Sequence, residues 1–328
     1  GGWADITNKR TVTTDSQFRI GSTSKALTST VLARMVDQGS IDINNPINTY
    51  FSNLPNENWQ QVTSRQLASH TAGLPHYKEN SDFLGAYRTM SLSTTYEDVY
   101  EALSVFDGSE MLYEPGTVYS YSSLGTVLLS AVMEAAVDTP YLQWMKQSVF
   151  TPLGLKATTA EYDNPTPERL AKFYWNDQGR TNEVREWRAV DLSHRLAGGG
   201  FISTSSGLVK LGSAFLDNNF VSAETRQQFW TAQALPNGEM PPHNYAIGWR
   251  DITLDLGEGI GLVQILNHGG VSRGAQSWLM VLPAYDMAVA VNINSNTEIF
   301  ADFSRISLDV AREFIKVKEN REKARENS

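Results

Sequence analysis

The sequence predicts a mixed α+β protein: one sheet-bearing domain interrupted by a mainly helical insertion. Three observations predict it. An apolar helix pattern opens early, after Gly21-Ser22. The middle of the chain carries helical periodicity between Ser123 and Phe150. The last third holds two apolar strand patterns, a hairpin signal and a further helix. This arrangement fits one interrupted domain better than two in tandem. The sheet part is expected at 1–45 and 196–328, and the insertion at 46–195.

Taken in order, Leu27, Val31 and Met35, with Leu32 and Val36, repeat at i, i+4, and Gly39 stands where a helix C-terminus belongs. A second helix is expected from Ser123 to Val137 (Leu124, Val127, Leu128, Ala131, Val132, Ala135). Thr139-Pro140 starts another, running through Tyr141, Met145 and Val149 to Phe150. A small hairpin is expected from Ala171–Trp175 and Glu183–Trp187 around Asn176-Asp177-Gln178-Gly179. Ser203 to Ser205 can cap a helix carrying Leu208, Leu211 and Phe215. Val263–Leu266 reads as a strand, and Gln276–Leu282 and Met287–Ile293 as a hairpin joined by Pro283-Ala284-Tyr285-Asp286. The chain closes on an amphipathic helix (Phe303, Ile306, Leu308, Val310, Phe314, Ile315), whose charged end, from Lys316, is expected to fray.

Composition narrows the function. The 328 residues are 41% hydrophobic and 19% charged, which excludes disorder as the main state. A net charge of −9 lacks the footprint of a nucleic-acid binder and disfavours anionic lipid. The apolar runs at 123–137 and 277–293 are broken by Glu134, Pro283 and Asp286, so no transmembrane segment is expected. With no cysteine, thiolate nucleophiles, disulfides and Cys-ligated zinc are all excluded. The histidines show no ligand spacing, so no metal and no cofactor is expected. The chain opens at Gly-Gly-Trp-Ala-Asp with neither an initiator Met nor a signal-peptide core, as a processed or trimmed product would.

Three patterns carry chemistry. In Ser22-Thr-Ser-Lys25, Ser and Lys stand one helical turn apart on one face. A hydroxyl is a poor nucleophile until a neighbour takes its proton, and a partly buried lysine of lowered pKa can do so. The bland alternative is a capping Ser with a solvated Lys. His268-Gly269-Gly270 precedes the strand at Gln276, where glycines let a ligand approach and a histidine can bond a substrate carboxylate or the nucleophile. A structural His beside a tight turn fits those residues equally. Tyr121 leads into the second helix, where a tyrosine beside a cation can act as base; packing is the commoner use. Gly-x-Ser-x-Gly is absent, and Gly198-Gly199-Gly200 lacks the Lys-Ser/Thr of a phosphate loop.

Together these patterns resemble the serine β-lactamase and penicillin-binding-protein superfamily, in its class C β-lactamase, D-aminopeptidase and esterase branch. The resemblance spans Phe18–Lys25, Ser69-His-Thr-Ala-Gly-Leu74, Tyr121-Ser-Ser-Leu-Gly125, Ala197–Thr204 and His268-Gly-Gly270. His70 to Tyr77, and Arg169 through Gly200, are similar to the LACTB group of serine β-lactamase-like proteins.

The resemblance implies a β-lactamase/transpeptidase-like fold and a serine hydrolase working through an acyl-enzyme on an amide or ester. Peptidase activity is the first expectation, esterase or β-lactamase the next. It implies Ser22 as nucleophile, Lys25 assisting proton transfer, and Tyr121 as general base kept near anionic by Lys25. Ser123, His268, Gly269, Gly270 and Val271 would bind substrate, with the Ser22 and Val271 amides forming the oxyanion hole. Ser123 departs from the branch's usual Asn, which bears on β-lactam and D-amino-acid handling. Tyr162-Asp163-Asn164 and Tyr174-Trp175-Asn176 match the second motif literally but are read as decoys. Relatives carry a helix and two strands before the segment at Gly2–Asp5. A small-molecule or peptide substrate is expected, with room for self-association, and a periplasmic or secreted location if the source is bacterial. The rival readings are a filament-forming structural protein and a penicillin sensor that is acylated without turnover.

Overall fold

A computed structural model of the chain describes residues 1–176, 184–257 and 259–326. The chain opens with a small antiparallel ribbon, β1 (Trp3–Asp5) against β2 (Arg10–Thr11). Next, β3 (Phe18–Arg19) leads through a 3₁₀ turn, Gly21–Thr23, into α1 (Ser24–Asp37). Ser24 to Ala33 are buried without a break, so α1 is the central helix, packed on all sides. Its buried hydroxyls must then find partners. Thr28 Oγ1 donates to Ala197 O at 2.8 Å and Ser29 Oγ to Ile247 O at 2.6 Å. The helix stops where expected: Gly39 N–H bonds Val36 O, and Ser40 N–H reaches back to Met35 O.

Shorter helices follow: α2 (Ser64–Ser69), opened by a Thr63/Gln66 capping box, α3 (Phe83–Ser91) and α4 (Val99–Leu103). Helix α3 turns Phe83, Leu84, Tyr87 and Met90 outward. Then α5 (Ser123–Val137) has the bounds read from the sequence, with Ser122 Oγ accepting Gly125 N–H at its start. After it, α6 (Tyr141–Met145) continues as a wider turn, Lys146–Phe150. Strand β4 (Thr159–Ala160) comes next, followed by β5 (Tyr174–Asn176) and β6 (Val184–Glu186), which form the expected hairpin. Its connection, 177–183, lies outside the described residues. Strand β7 (Phe201–Ser203) joins β3 and β4 in a three-stranded sheet. Thr204 caps α7 (Ser205–Ala214), and α8 (Ala223–Trp230) follows.

Four strands complete the chain with a terminal helix: β8 (Arg250–Asp255), β9 (Leu262–Ser272), β10 (Ala275–Leu282), β11 (Met287–Ile293) and α9 (Phe300–Glu326). The strands form an antiparallel sheet in the order β11-β10-β9-β8. In β10 the pleat sends Leu279 and Val281 into the large core that contains α1, and Met280 and Leu282 toward Ala311 and Ile315 of α9. A strand covered on both faces reads as a continuous apolar run. Each fully buried Leu or Ile there contributes roughly 1.5–3 kcal/mol.

Two expectations change. Strand β9 runs unbroken through His268-Gly269-Gly270, which therefore lie in the ladder opposite Leu279, Trp278 and Ser277 and not at a turn. Helix α9 continues to Glu326 without fraying at Lys316, and buries Phe303, Ser307, Ala311 and Ile315. Ile306, Val310 and Phe314 form a different i, i+4 row from the buried one and stay exposed. Among the described residues no helix is long and apolar enough to cross a membrane.

Candidate active site

The sharpest sequence pattern becomes the tightest polar cluster. Ser22 lies in the 3₁₀ turn and Lys25 in the first turn of α1. Lys25 Nζ donates to Gly198 O at 2.7 Å, to Ser123 Oγ at 2.9 Å and to Ser22 Oγ at 3.3 Å. Three partners exhaust the donors of an ammonium. None is an anion, so the buried charge lacks a counter-ion among the described residues. Burial is the main cause that lowers the Lys25 pKa to about 7, opposed by Tyr77 and helped by Arg250 and Arg195. The amine is therefore poised between its charged and neutral forms near neutral pH. When neutral it keeps two N–H groups for Gly198 O and Ser123 Oγ, and its lone pair is left for the Ser22 hydroxyl.

Two glycines bring strand β9 against this turn. Gly21 has φ +51, and a Cβ there would lie 2.6 Å from Val271 O. A Cβ on Gly270 would lie 1.9 Å from Ile20 O and 2.9 Å from Ser22 N. The backbones of Ser22 and Val271 thus run side by side, with Val271 itself 59% exposed. Gly270 makes room for the protein's own turn, and Gly269 for the Phe300 and Trp278 rings, where the sequence suggested an approaching ligand.

Tyr121 stands over the amine, with Lys25 Nζ 4.8 Å from its ring centre. Its ring is walled by His70 at 4.3 Å, His76 at 5.7 Å and Tyr245 at 6.3 Å, centre to centre. Desolvation raises its pKa, and the Ser22 and Ser123 hydroxyls pull it only part of the way back. Burial outweighs the Ser22 hydroxyl, Arg250 and the Ser123 hydroxyl, so the phenol lies above its ordinary pKa and not near the anionic form that the resemblance implies. Ser123, expected to meet substrate, is 4% exposed; its hydroxyl accepts from Lys25 and its N–H donates to His76 Nδ1 at 3.2 Å.

His268 is also displaced from its expected role. It is 0% exposed, its Nε2 pairs with Tyr245 Oη at 3.0 Å, and its Nδ1 lies 2.9 Å from Gly269 O. No ring atom is left to bond a substrate. Neither literal Tyr-x-Asn match joins the cluster. Tyr174 Oη accepts Ile6 N–H at 2.8 Å, and Tyr162 sits in an outlying 3₁₀ turn, half exposed.

The sequence reading gave no role to His70, His76, Tyr245 or the Gly198 carbonyl. It also passed over Arg250, which pairs across from Tyr245 in an isolated bridge. Arg250 Nε is buried with no hydrogen-bond partner, and no carboxylate pairs with the guanidinium among the described residues. Those residues contain no cluster of three or more His, Asp or Glu able to hold a metal ion.

A family model described as Beta-lactamase matches residues 1–311. The chain belongs to the beta-lactamase family. Among the relatives of this beta-lactamase-family protein is the human mitochondrial serine beta-lactamase-like protein LACTB. The two are 27% identical over 364 residues, covering 86% of this chain and 65% of LACTB. The D-alanyl-D-alanine-carboxypeptidase/endopeptidase AmpH of Escherichia coli K12 is 30% identical over 212 residues, covering 63% of this chain and 50% of AmpH. The chain thus spans less than two thirds of either relative. The D-amino acid amidase of Ochrobactrum anthropi SV3 superposes with a TM-score of 0.74 at 23% identity, over 98% of this chain and 89% of the amidase. The fold is therefore β-lactamase/transpeptidase-like, and the family is one of serine hydrolases.

Proposed function

We propose that the chain is a metal-independent serine hydrolase that forms an acyl-enzyme on Ser22, in a cleft between a sheet part (1–45 and 196–328) and a helical part (46–195). The observation that carries this reading is Lys25: a buried amine with no counter-ion among the described residues, 3.3 Å from Ser22 Oγ, its pKa lowered to about 7. Neutral Lys25 takes the Ser22 proton as Oγ attacks the carbonyl carbon. The Ser22 and Val271 amides receive the developing oxyanion. The proton then passes by way of Lys25 and the neutral Tyr121 phenol to the departing nitrogen or oxygen as its bond to the acyl carbon breaks. Water hydrolyses the ester to regenerate Ser22. Tyr121 thus serves as a proton relay, and Lys25 as the base.

Peptide-like amides are the first substrates to test, given the peptidase and amidase names among the relatives; esters and β-lactams follow. The unpaired Arg250 supports an acyl donor that carries an anionic group, because a cation without an acidic partner beside the site favours one.

Labelling by a fluorophosphonate or a fluorescent penicillin tests the reading. Ser22→Ala should abolish it, and Tyr121→Phe should slow turnover by about a hundredfold or more. Equal labelling of Ser22→Ala and wild type would remove Ser22 as the nucleophile. The outward apolar residues of α3 give the assembly reading its support. Large ordered particles of wild type and Ser22→Ala alike, with no labelling of either, would favour that reading.

A further inference from the structure

His70 takes no part in the proton path above, yet two unfavourable features meet in it. Its backbone is left-handed, with φ +62, at the end of α2, a conformation that strains a residue bearing a side chain. Its Nε2 is buried with no hydrogen-bond partner among the described residues. Such features persist where the surroundings over-determine them, and they gather at functional sites.

What surrounds His70 is the segment that bears Tyr121. The His70 carbonyl accepts Ser120 N–H at 2.9 Å. Its Nδ1 accepts Ser122 N–H at 3.3 Å. Its ring leans on the Tyr121 ring, centres 4.3 Å apart at 48°. One residue therefore holds both chain neighbours of Tyr121 and one face of its ring. Tyr245 backs the imidazole at 4.6 Å and is itself tied to His268 Nε2 at 3.0 Å.

We propose that His70 is a positioning residue for acylation: through the Ser122 amide and the ring contact, its Nε2–H tautomer holds the Tyr121 phenol over Ser22 and Lys25. The proposal rests on the function proposed above. The tautomer follows from the geometry, since Nδ1 accepts a hydrogen bond only when it carries no proton. Desolvation, with Lys25 next in effect, keeps the ring neutral by lowering its pKa well below the ordinary value. His76 does the same one residue on, its Nδ1 accepting Ser123 N–H. Two imidazoles thus hold the successive amides that open α5.

A plain helix cap predicts something different. Glycine is the favoured residue at a left-handed helix end. If His70 only ends α2, then His70→Gly should leave Ser122 exchange and acylation as in wild type, whatever stability the loss of the buried ring costs.

Three variants of the full chain separate the two roles: His70→Gly, His70→Asn and His70→Gln. Asn tolerates the left-handed backbone and carries an acceptor at the position of Nδ1; the Gln amide reaches the position of Nε2. Residue-resolved amide exchange reads the clamp, and the burst rate with p-nitrophenyl acetate, with Ser22→Ala as reference, reads the chemistry. In the Gly and Gln variants, Ser122 N–H exchange should rise by roughly tenfold or more while Ser120 N–H, held by a carbonyl, changes little. Acylation should slow by roughly tenfold or more in its rate constant at saturating ester, with the half-saturating concentration unchanged. Asn should restore both to within about threefold of wild type. Unchanged Ser122 exchange, or a wild-type burst in His70→Gly, would overturn the proposal. Should His70→Gly fail to fold, Asn against Gln carries the same contrast. If Ser22→Ala gives the same burst as wild type, the proposed function fails, and Ser122 exchange still decides the clamp.

Discussion

Two walls meet at Ser22, and they are built on opposite plans. The helical wall is polar and directly engaged: Lys25, Ser123 and Gly198 O form one hydrogen-bonded set ending on the Ser22 hydroxyl. The strand wall is a matter of backbone: Gly270 lets β9 lie against the turn, while His268 is sealed behind Tyr245. Proton transfer needs a side chain of tunable pKa, which a buried amine supplies. Oxyanion binding needs fixed N–H groups, the role proposed for the Ser22 and Val271 amides. The comparison teaches that similar-looking sequence motifs can contribute through side chains on one wall and through the lack of side chains on the other.

The largest effect should come from breaking the helical wall. Arginine at position 25 keeps the charge but cannot release its proton near neutral pH. Lys25→Arg should cut acylation by roughly 10²–10⁴. If the neutral amine is the active form, as proposed, acylation in the wild type should rise about tenfold per pH unit below the Lys25 pKa of about 7 and level off above it. The variant should be slow and lack that limb. A wild-type profile flat between pH 5 and 8 would remove Lys25 as the base. Next in size is the strand wall. Gly270→Ala places a Cβ 1.9 Å from Ile20 O, a backbone atom that cannot step aside. Overpacking of this kind costs about 1–3 kcal/mol or more. Tm should fall by several degrees and acylation with it, because the same Cβ presses on Ser22 N. A stable, fully active Gly270→Ala would show that the close contact does not matter.

How far these walls were legible depends on distance along the chain. Ser22 and Lys25 are three residues apart, and a local spacing can be read. Helix α5 was legible at both ends, because its periodicity is long and Ser122 caps it. Strands β10 and β11 stood out as apolar runs on either side of the turn from Pro283 to Asp286. Strand β8 was passed over although Ile252 and Leu254 alternate with Asp251, Thr253 and Asp255, because two apolar residues make a short signal on an edge strand. Strands β2, β3 and β4 have two residues each, too few to show a period. The Gly198 carbonyl was invisible because a backbone acceptor leaves no side-chain signature. His70 and His76 escaped because their partners, Ser122 and Ser123, lie 52 and 47 residues away.

His268 gives the finest test of the contrast between the walls. As a side chain on the wall that works through backbone, it should matter little to the chemistry. Its Nε2 meets Tyr245 Oη inside a site with no exposure. Glutamine places an amide group near the Nε2 position and can satisfy the same phenol. His268→Gln should therefore keep acylation within about threefold of wild type. His268→Leu removes the partner and leaves a buried hydroxyl unsatisfied, which costs roughly 1–3 kcal/mol of stability. The two variants should then differ in Tm more than in burst rate. A loss in His268→Gln as deep as that in Lys25→Arg, with Tm unchanged, would mean that the imidazole itself reaches the reacting groups. The division between a side-chain wall and a backbone wall would then fail.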